Sequence, residues 1–157
     1  MKTILSVLLE NEFGALSRVI GLFSQRGYNI DSLNVAPTQD PTLSLLTIKT
    51  IGNKRCIEQI KKQLNKLIDV LKVVKIKKNK YISREIILIK IKKKYKKKIN
   101  KKKTKKKFKY SIINKNKKYL ILQKTGNEKK INKFIKKIKN KIKIKKISRS
   151  GIINISK

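Results

Sequence analysis

The segment Leu9-Glu10-Asn11-Glu12-Phe13-Gly14-Ala15-Leu16 holds the residues whose types and spacing could do chemistry. An apolar run ends at Leu9 and an amphipathic one starts near Leu16, so the segment joins a strand to a helix. The first N–H groups of a helix have no partner within it, and the aligned peptide dipoles put partial positive charge there. A carboxylate fits such an end. Gly14, with no side chain, lets a ligand approach the backbone closely. Asn11 carries a donor and an acceptor on one amide, a set that suits a zwitterionic amino acid. The chemistry on offer is binding. Spacing alone leaves a second reading open, with Asn11 an N-terminal helix cap and Gly14 a turn residue.

Catalysis is poorly served by the remaining residues. The chain has no His, which removes the commonest general base and metal ligand. Cys56 stands alone, so there is no disulfide framework, and zinc or Cys/His chemistry is excluded. There is no Gly-rich phosphate loop followed by Lys-Ser/Thr, no GxSxG and no dinucleotide fingerprint. A paired acid–base site could come only from Glu10, Glu12, Asp31 or Asp40, and these read as solvated or capping groups.

Charge is very uneven along the 157 residues. Residues 1–76 hold eleven Lys/Arg against six Asp/Glu, whereas residues 77–157 hold thirty-four against two. Such a basic half raises the question of nucleic acid, because lysines neutralise phosphates. Yet of 45 basic residues only five are Arg, and Ile and Asn are abundant beside the Lys. These three residues share codons made almost wholly of A and T. Compositional drift of a solvated surface explains them better than a dedicated surface, which would keep Arg for bidentate contacts and aromatics for stacking. No specific nucleic-acid partner is expected. Ile4–Leu9 is too short for a secretory h-region, and no window approaches the roughly 20 apolar residues of a membrane span. A cytoplasmic location, off the membrane, is expected.

The elements that must position the junction follow from periodicity. Thr3–Leu9 reads as a buried strand. A helix opening at Gly14 carries Leu16, Val19, Ile20 and Phe23 on one face and ends at Gly27. Tyr28–Ala36 alternates as a half-buried strand with Leu33 and Val35 on one side. Pro37–Pro41 is a turn, and Leu43–Ile51 the next strand. A second helix carries Ile57, Ile60, Leu64 and Leu67, and Val70–Ile76 closes the unit. This βαββαβ order defines a ferredoxin-like α+β domain. The back half repeats it more faintly: a strand at Arg84–Lys92, a poor helix or disordered loop at Lys93–Lys107, then a hairpin of Phe108–Ile113 and Lys118–Lys124 around Asn114–Asn116. A helix begun near Asn127 carries Ile131, Phe134, Ile135 and Ile138. A strand at Ile142–Ile147, a turn at Ser148–Gly151 and the segment Ile152–Ile155 complete it.

The run LSVLLENEFGALSRVIGLFSQRGYNIDSLNVAPTQDPTLSLLTI, from Leu5 to Ile48, closely resembles the N-terminal ACT domain of the small, regulatory subunit of acetolactate synthase (acetohydroxyacid synthase). The resemblance continues through EQIKKQLNKLIDVLKVVKI, and SREIILIKI, TGNEKKINKFIKKIKN and ISRSGIINIS resemble that family's C-terminal domain. It implies two domains, an ACT domain at 1–77 and a second α+β domain at 78–157, Lys-rich and partly degenerate. It implies a protein without an active site or cofactor of its own. Such a subunit forms homodimers through its ACT domains and raises the activity of a catalytic large subunit, which is expected to hold thiamine diphosphate, Mg and FAD. That partner decarboxylates pyruvate and condenses it with pyruvate or 2-oxobutanoate, toward valine, leucine and isoleucine. In many members valine feeds back through the small subunit. Carried over by motif, valine would lie at the dimer interface. Asn11, Glu12, Phe13, Gly14, Ala15 and Leu16 would form one wall, and Asn29 and Ile30 of the neighbouring subunit the other. The chain departs from the pattern at Phe13, where the family has a small residue or proline and where bulk would narrow the pocket. It departs also at Leu45–Leu46, in place of Arg-Met, and across Lys93–Lys117.

Overall fold

A computed structural model describes residues 2–77, 79–99 and 109–157. They form two compact units, Met1–Ile82 together with Ile152–Lys157, and Ser83–Gly151.

The first unit runs β1 (Lys2–Glu10), α1 (Ala15–Gln25), β2 (Ile30–Pro37), β3 (Leu43–Ile51), α2 (Lys54–Leu64) and β4 (Val70–Lys75). Its sheet has the order β2-β3-β1-β4, every pair antiparallel. The βαββαβ order read from periodicity is the order observed. Alternation decides which side faces in: Leu5, Val7 and Leu9 of β1 and Leu46 and Ile48 of β3 are buried against the helices. Val19 and Phe23 of α1 and Ile57, Ile60 and Leu64 of α2 cover them.

Both helices have well-made ends. Asn53 caps α2, its side chain accepting from Cys56 N at 2.8 Å. Past α1 the Gly27 N–H donates to Ser24 O at 3.1 Å and the Tyr28 N–H to Phe23 O at 2.8 Å, a Schellman ending. Gly27 takes the left-handed φ of 66° that this ending needs. The Tyr28 ring closes it edge-on against Phe23, with centroids 6.0 Å apart.

Two expected core positions lie outside the core. Ile20 is 37% exposed and Ala15 takes its place, because the helix begins at Ala15 and its buried stripe runs Ala15, Val19, Phe23. Val35 is 40% exposed, since β2 is an edge strand whose burial falls off toward Pro37.

The second unit is built on β5 (Tyr81–Lys92), which starts in the first unit. A 3-10 turn at Lys93–Tyr95 and a short helix α3 (Lys96–Ile99) follow. Then come β6 (Ser111–Lys115), β7 (Tyr119–Gly126), α4 (Glu128–Lys139) and β8 (Ile144–Arg149). The sheet order is β6-β7-β5-β8, and a further strand, β9 (Ile153–Ser156), pairs with β5. Ile87, Ile89, Ile91, Leu120 and Leu122 meet Ile131, Phe134 and Ile138 in the core. Asn127 caps α4 by accepting from Lys130 N at 2.9 Å.

The stretch read as a poor helix or disordered loop divides. Its first part turns helically and seats Tyr95 and Ile99 against the core, and Tyr110 Oη donates to Ile99 O at 2.8 Å. Residues 100–107, and Phe108 of the expected hairpin, lie outside the described residues. The hairpin turn itself is made by Asn116, whose side chain accepts from Lys118 N and Tyr119 N at 3.2 and 2.7 Å. β5 starts three residues before the expected Arg84, and β8 starts two after the expected Ile142.

Candidate functional site

The strand–helix junction is held from below by Asn11. Its N–H donates to Thr42 O at 2.7 Å, its side-chain amide donates to Pro41 O at 3.0 Å, and its side-chain oxygen accepts from Ser44 Oγ at 3.0 Å. Asn11 therefore staples the junction to the β2–β3 turn and does not cap the helix. Asp40 shapes that turn, accepting from Thr42 N at 2.9 Å and Thr42 Oγ1 at 2.6 Å, which holds its carboxyl below the usual carboxylate range.

The N-cap of α1 is Gly14, at φ 83° and ψ −15°, with no side chain to cap the helix. The Ala15 N–H donates to Glu12 O at 3.2 Å and the Arg18 N–H to Gly14 O at 2.9 Å, and no side chain caps this helix end, where the peptide dipoles leave partial positive charge. A Cβ at Gly14 would come within 2.9 Å of Arg18 Nη1, but that is the far end of a flexible side chain; the positive φ is the firmer requirement. From Gly14 an open depression of about 540 Å³ runs along α1, lined by Gly14, Ser17, Arg18, Gly21, Gln25 and Gln63 among others. Phe13 does not line this depression, and it is fully exposed to solvent. Glu12 is exposed, Ala15 is buried in the core and Leu16 packs at its margin.

Beneath the junction lies an ion pair that sequence reasoning missed. Arg18 donates from Nε and Nη2 to the two oxygens of Asp69, at 2.5 and 2.7 Å. The Asp69 backbone oxygen accepts from Glu10 N at 2.9 Å. The Arg18 hydrogen bonds, and then its charge, lower the Asp69 pKa, while the same bond raises that of Arg18. The pair ties the first turn of α1 to the approach to β4. Its partners are 51 positions apart, and no spacing rule links them.

Asn29 and Ile30 open β2. The Asn29 backbone oxygen accepts from Thr50 Oγ1 at 2.6 Å, and Ile30 lies opposite Thr50. Thr50 in turn lies opposite Thr3, whereas Glu10 lies opposite Leu43. Seven residues of β3 separate the two levels, about 24 Å at the antiparallel strand rise. One chain therefore keeps the Asn11–Leu16 junction and the Asn29–Ile30 segment at opposite ends of its sheet. The carboxylates are dispersed likewise. Asp31 is bound to Lys49 at 3.2 Å and Lys2 at 3.3 Å near one end, and Asp40 to Thr42 near the other. Hydrogen bonding from Lys49, and then from Lys2, outweighs partial desolvation and lowers the Asp31 pKa. Among the described residues no group of three or more His, Cys, Asp or Glu is placed to hold a metal ion, and no helix is long and apolar enough to cross a membrane.

A βαββαβ unit with an open helix N-terminus at its first junction has the make-up of a small-molecule-sensing module. Residues 5–72 match the family described as AHAS small subunit-like ACT domain, and residues 84–157 match the small subunit of acetolactate synthase. The chain is 54% identical over 157 residues to the acetolactate synthase small subunit of Buchnera aphidicola subsp. Schizaphis graminum (strain Sg), covering 100% of this chain and 99% of the relative. It is 48% identical to the acetolactate synthase isozyme 3 small subunit of Escherichia coli (strain K12), covering 100% and 96%. The crystal structure of the acetolactate synthase small subunit from Thermotoga maritima superposes with a TM-score of 0.88 at 32% identity, covering 100% of this chain and 98% of that one. The chain belongs to the acetolactate synthase small-subunit family and is a regulatory subunit of that enzyme, with an ACT domain at its front.

Proposed function

We propose that this chain binds the catalytic large subunit of acetolactate synthase, raises its activity, and confers feedback inhibition by valine. The observation that carries the reading is the likeness to acetolactate synthase small subunits along the whole length of the chain. Residues 1–77 act as the amino-acid-binding domain and residues 78–157 as the second domain of the subunit. The chain works in the cytoplasm. The catalytic partner holds thiamine diphosphate, Mg and FAD, and this chain holds none of them.

Valine sits between two copies of the chain. Asn11–Leu16 of one copy supplies a helix N-terminus for the carboxylate, with Gly14 giving close approach. Asn29 and Ile30 of the second copy supply the other wall, Ile30 meeting the aliphatic side chain. The separation of these segments within one chain supports a shared site, since a ligand touching both needs a second copy. β2 is an edge strand whose open backbone groups can pair with another chain, which supports association through the ACT domain.

The test is acetolactate formation by the cognate large subunit alone, with this chain, and with this chain plus valine. Stimulation that valine reverses supports both parts. Stimulation that valine leaves untouched removes the feedback part. Absence of stimulation and of a complex overturns the reading.

A further inference from the structure

β9 lies within the residues that match the family's second domain, 84–157, yet it is part of the first compact unit. It pairs with β5, and the Lys157 N–H donates to Lys80 O at 3.0 Å. The Asn154 side-chain amide donates to Thr47 Oγ1 at 3.0 Å, across 107 positions of sequence. Thr47 is only 4% exposed, and it lies in β3 between Ser6 of β1 and Asn34 of β2. Its neighbours Leu46 and Ile48 point into the core, so Thr47 belongs to the opposite face of the sheet.

The apolar side chains of β9 are not what holds it there. Ile153 is 52% and Ile155 67% exposed, and Ile152 is the buried root of the strand. Among the described residues, β9 is held beyond that root by backbone pairing with β5 and by the amide–hydroxyl bond to Thr47. A strand that buries so little apolar surface opens readily. Just before that root the chain is fastened within the second unit. Ser150 N donates to Ile86 O, and Ser150 Oγ accepts from Ile86 N, both at 3.0 Å.

We propose that Asn154 is a positioning residue: through Thr47 it latches β9 onto β3 of the first sheet, and the valine response of the first unit depends on that latch. The structural half stands by itself. The functional half, in which the valine response depends on the latch, rests on the regulatory reading above.

Hydrogen exchange of the full chain, read by mass spectrometry, tests the latch in Asn154→Ala, Thr47→Val and Thr47→Ser. The first two should speed exchange in β9 by about tenfold or more, while β1 keeps its protection. Thr47→Ser keeps the hydroxyl and should behave as the parent. If Asn154→Ala fails to fold, the near-isosteric Thr47→Val carries the same reading. Unchanged exchange in β9 overturns the latch. With the large subunit, Asn154→Ala should keep its stimulation and lose most of its valine response; a parental valine response overturns the functional half. A parent chain that does not stimulate at all sinks the regulatory reading and leaves the exchange result to decide the latch.

Discussion

At the scale of single residues, Arg18 and Asp69 make the clearest claim. The folded-state pKa of Asp69 lies below its unfolded value. The pair therefore contributes fully above about pH 4, where an unfolded Asp is ionised, and its contribution is lost as pH falls through the folded value. Arg18→Gln should lower the urea midpoint at neutral pH, and the gap to the parent should close on acidification. A gap that is constant with pH would show that Arg18 acts by packing alone. Gly14 makes a second claim. Its φ of 83° suits glycine, so Gly14→Ala should cost about 1 kcal/mol in a denaturant titration and reduce the valine response together. At this scale the sequence was legible where neighbours decide the outcome. Gly14 and Gly27 read as helix ends from their neighbours, and both hold positive φ. Asn11 was not legible, because its partners Pro41, Thr42 and Ser44 come from a distant turn. Arg18 was hidden for the same reason.

Elements were legible in proportion to the contrast of their patterns. Burial alternates residue by residue along β1 and along β5 from Arg84, whereas β3, between two neighbours, is buried without a break from Leu46 to Thr50. α1 misled by a single position, since Ile20 looks like core and Ala15 does not, yet the helix start sets the stripe. Lysine hid two further features. Tyr95 and Ile99 lie in a Lys-rich stretch whose apolar spacing is too sparse to read, and still both pack on the second core. Lys124 looks like one more surface lysine, but its position on β7, beside Leu122 and across from Ile87, turns it to the core face. It is 7% exposed, with its ammonium 5.5 Å from the Phe134 ring centroid. Desolvation, and then the charge of Lys130, lower its pKa. A lysine whose folded pKa is depressed costs stability while it is charged, and that cost fades as pH rises toward its unfolded value. Lys124→Met should therefore stabilise the chain by about 1 kcal/mol at neutral pH, with a smaller gain in alkali, as thermal melts would register. Destabilisation by that change would mean that the ammonium's contacts outweigh its burial.

The whole molecule carries a formal net charge of +37, most of it in the back half. Self-repulsion on that scale lowers the stability of a compact state, and salt screens it. Raising ionic strength from about 0.02 to about 0.2 M should raise the melting temperature, most visibly for the second unit. A melting temperature that ignores salt would mean that the lysines are already compensated by neighbours or bound anions. The same charge predicts weak, sequence-blind association with nucleic acid that vanishes steeply with salt. Neither effect bears on the two cores, whose apolar rows lie under the lysine surface.

On the proposed reading, in which two copies of the chain share each valine site, the distance between Asn11–Leu16 and Asn29–Ile30 along one sheet has a genetic consequence. In a symmetric pair, a site built from one segment of each copy occurs twice. A chain damaged at Gly14 and a chain damaged at Asn29 each form pairs with no working site. Mixed, they form pairs in which one site inherits both lesions and the other inherits neither. Two valine-blind chains, co-expressed with the large subunit, should thus recover part of the feedback that each lacks alone, with at most one working site in every mixed pair. A chain carrying both lesions could never contribute to such recovery, even beside an intact partner.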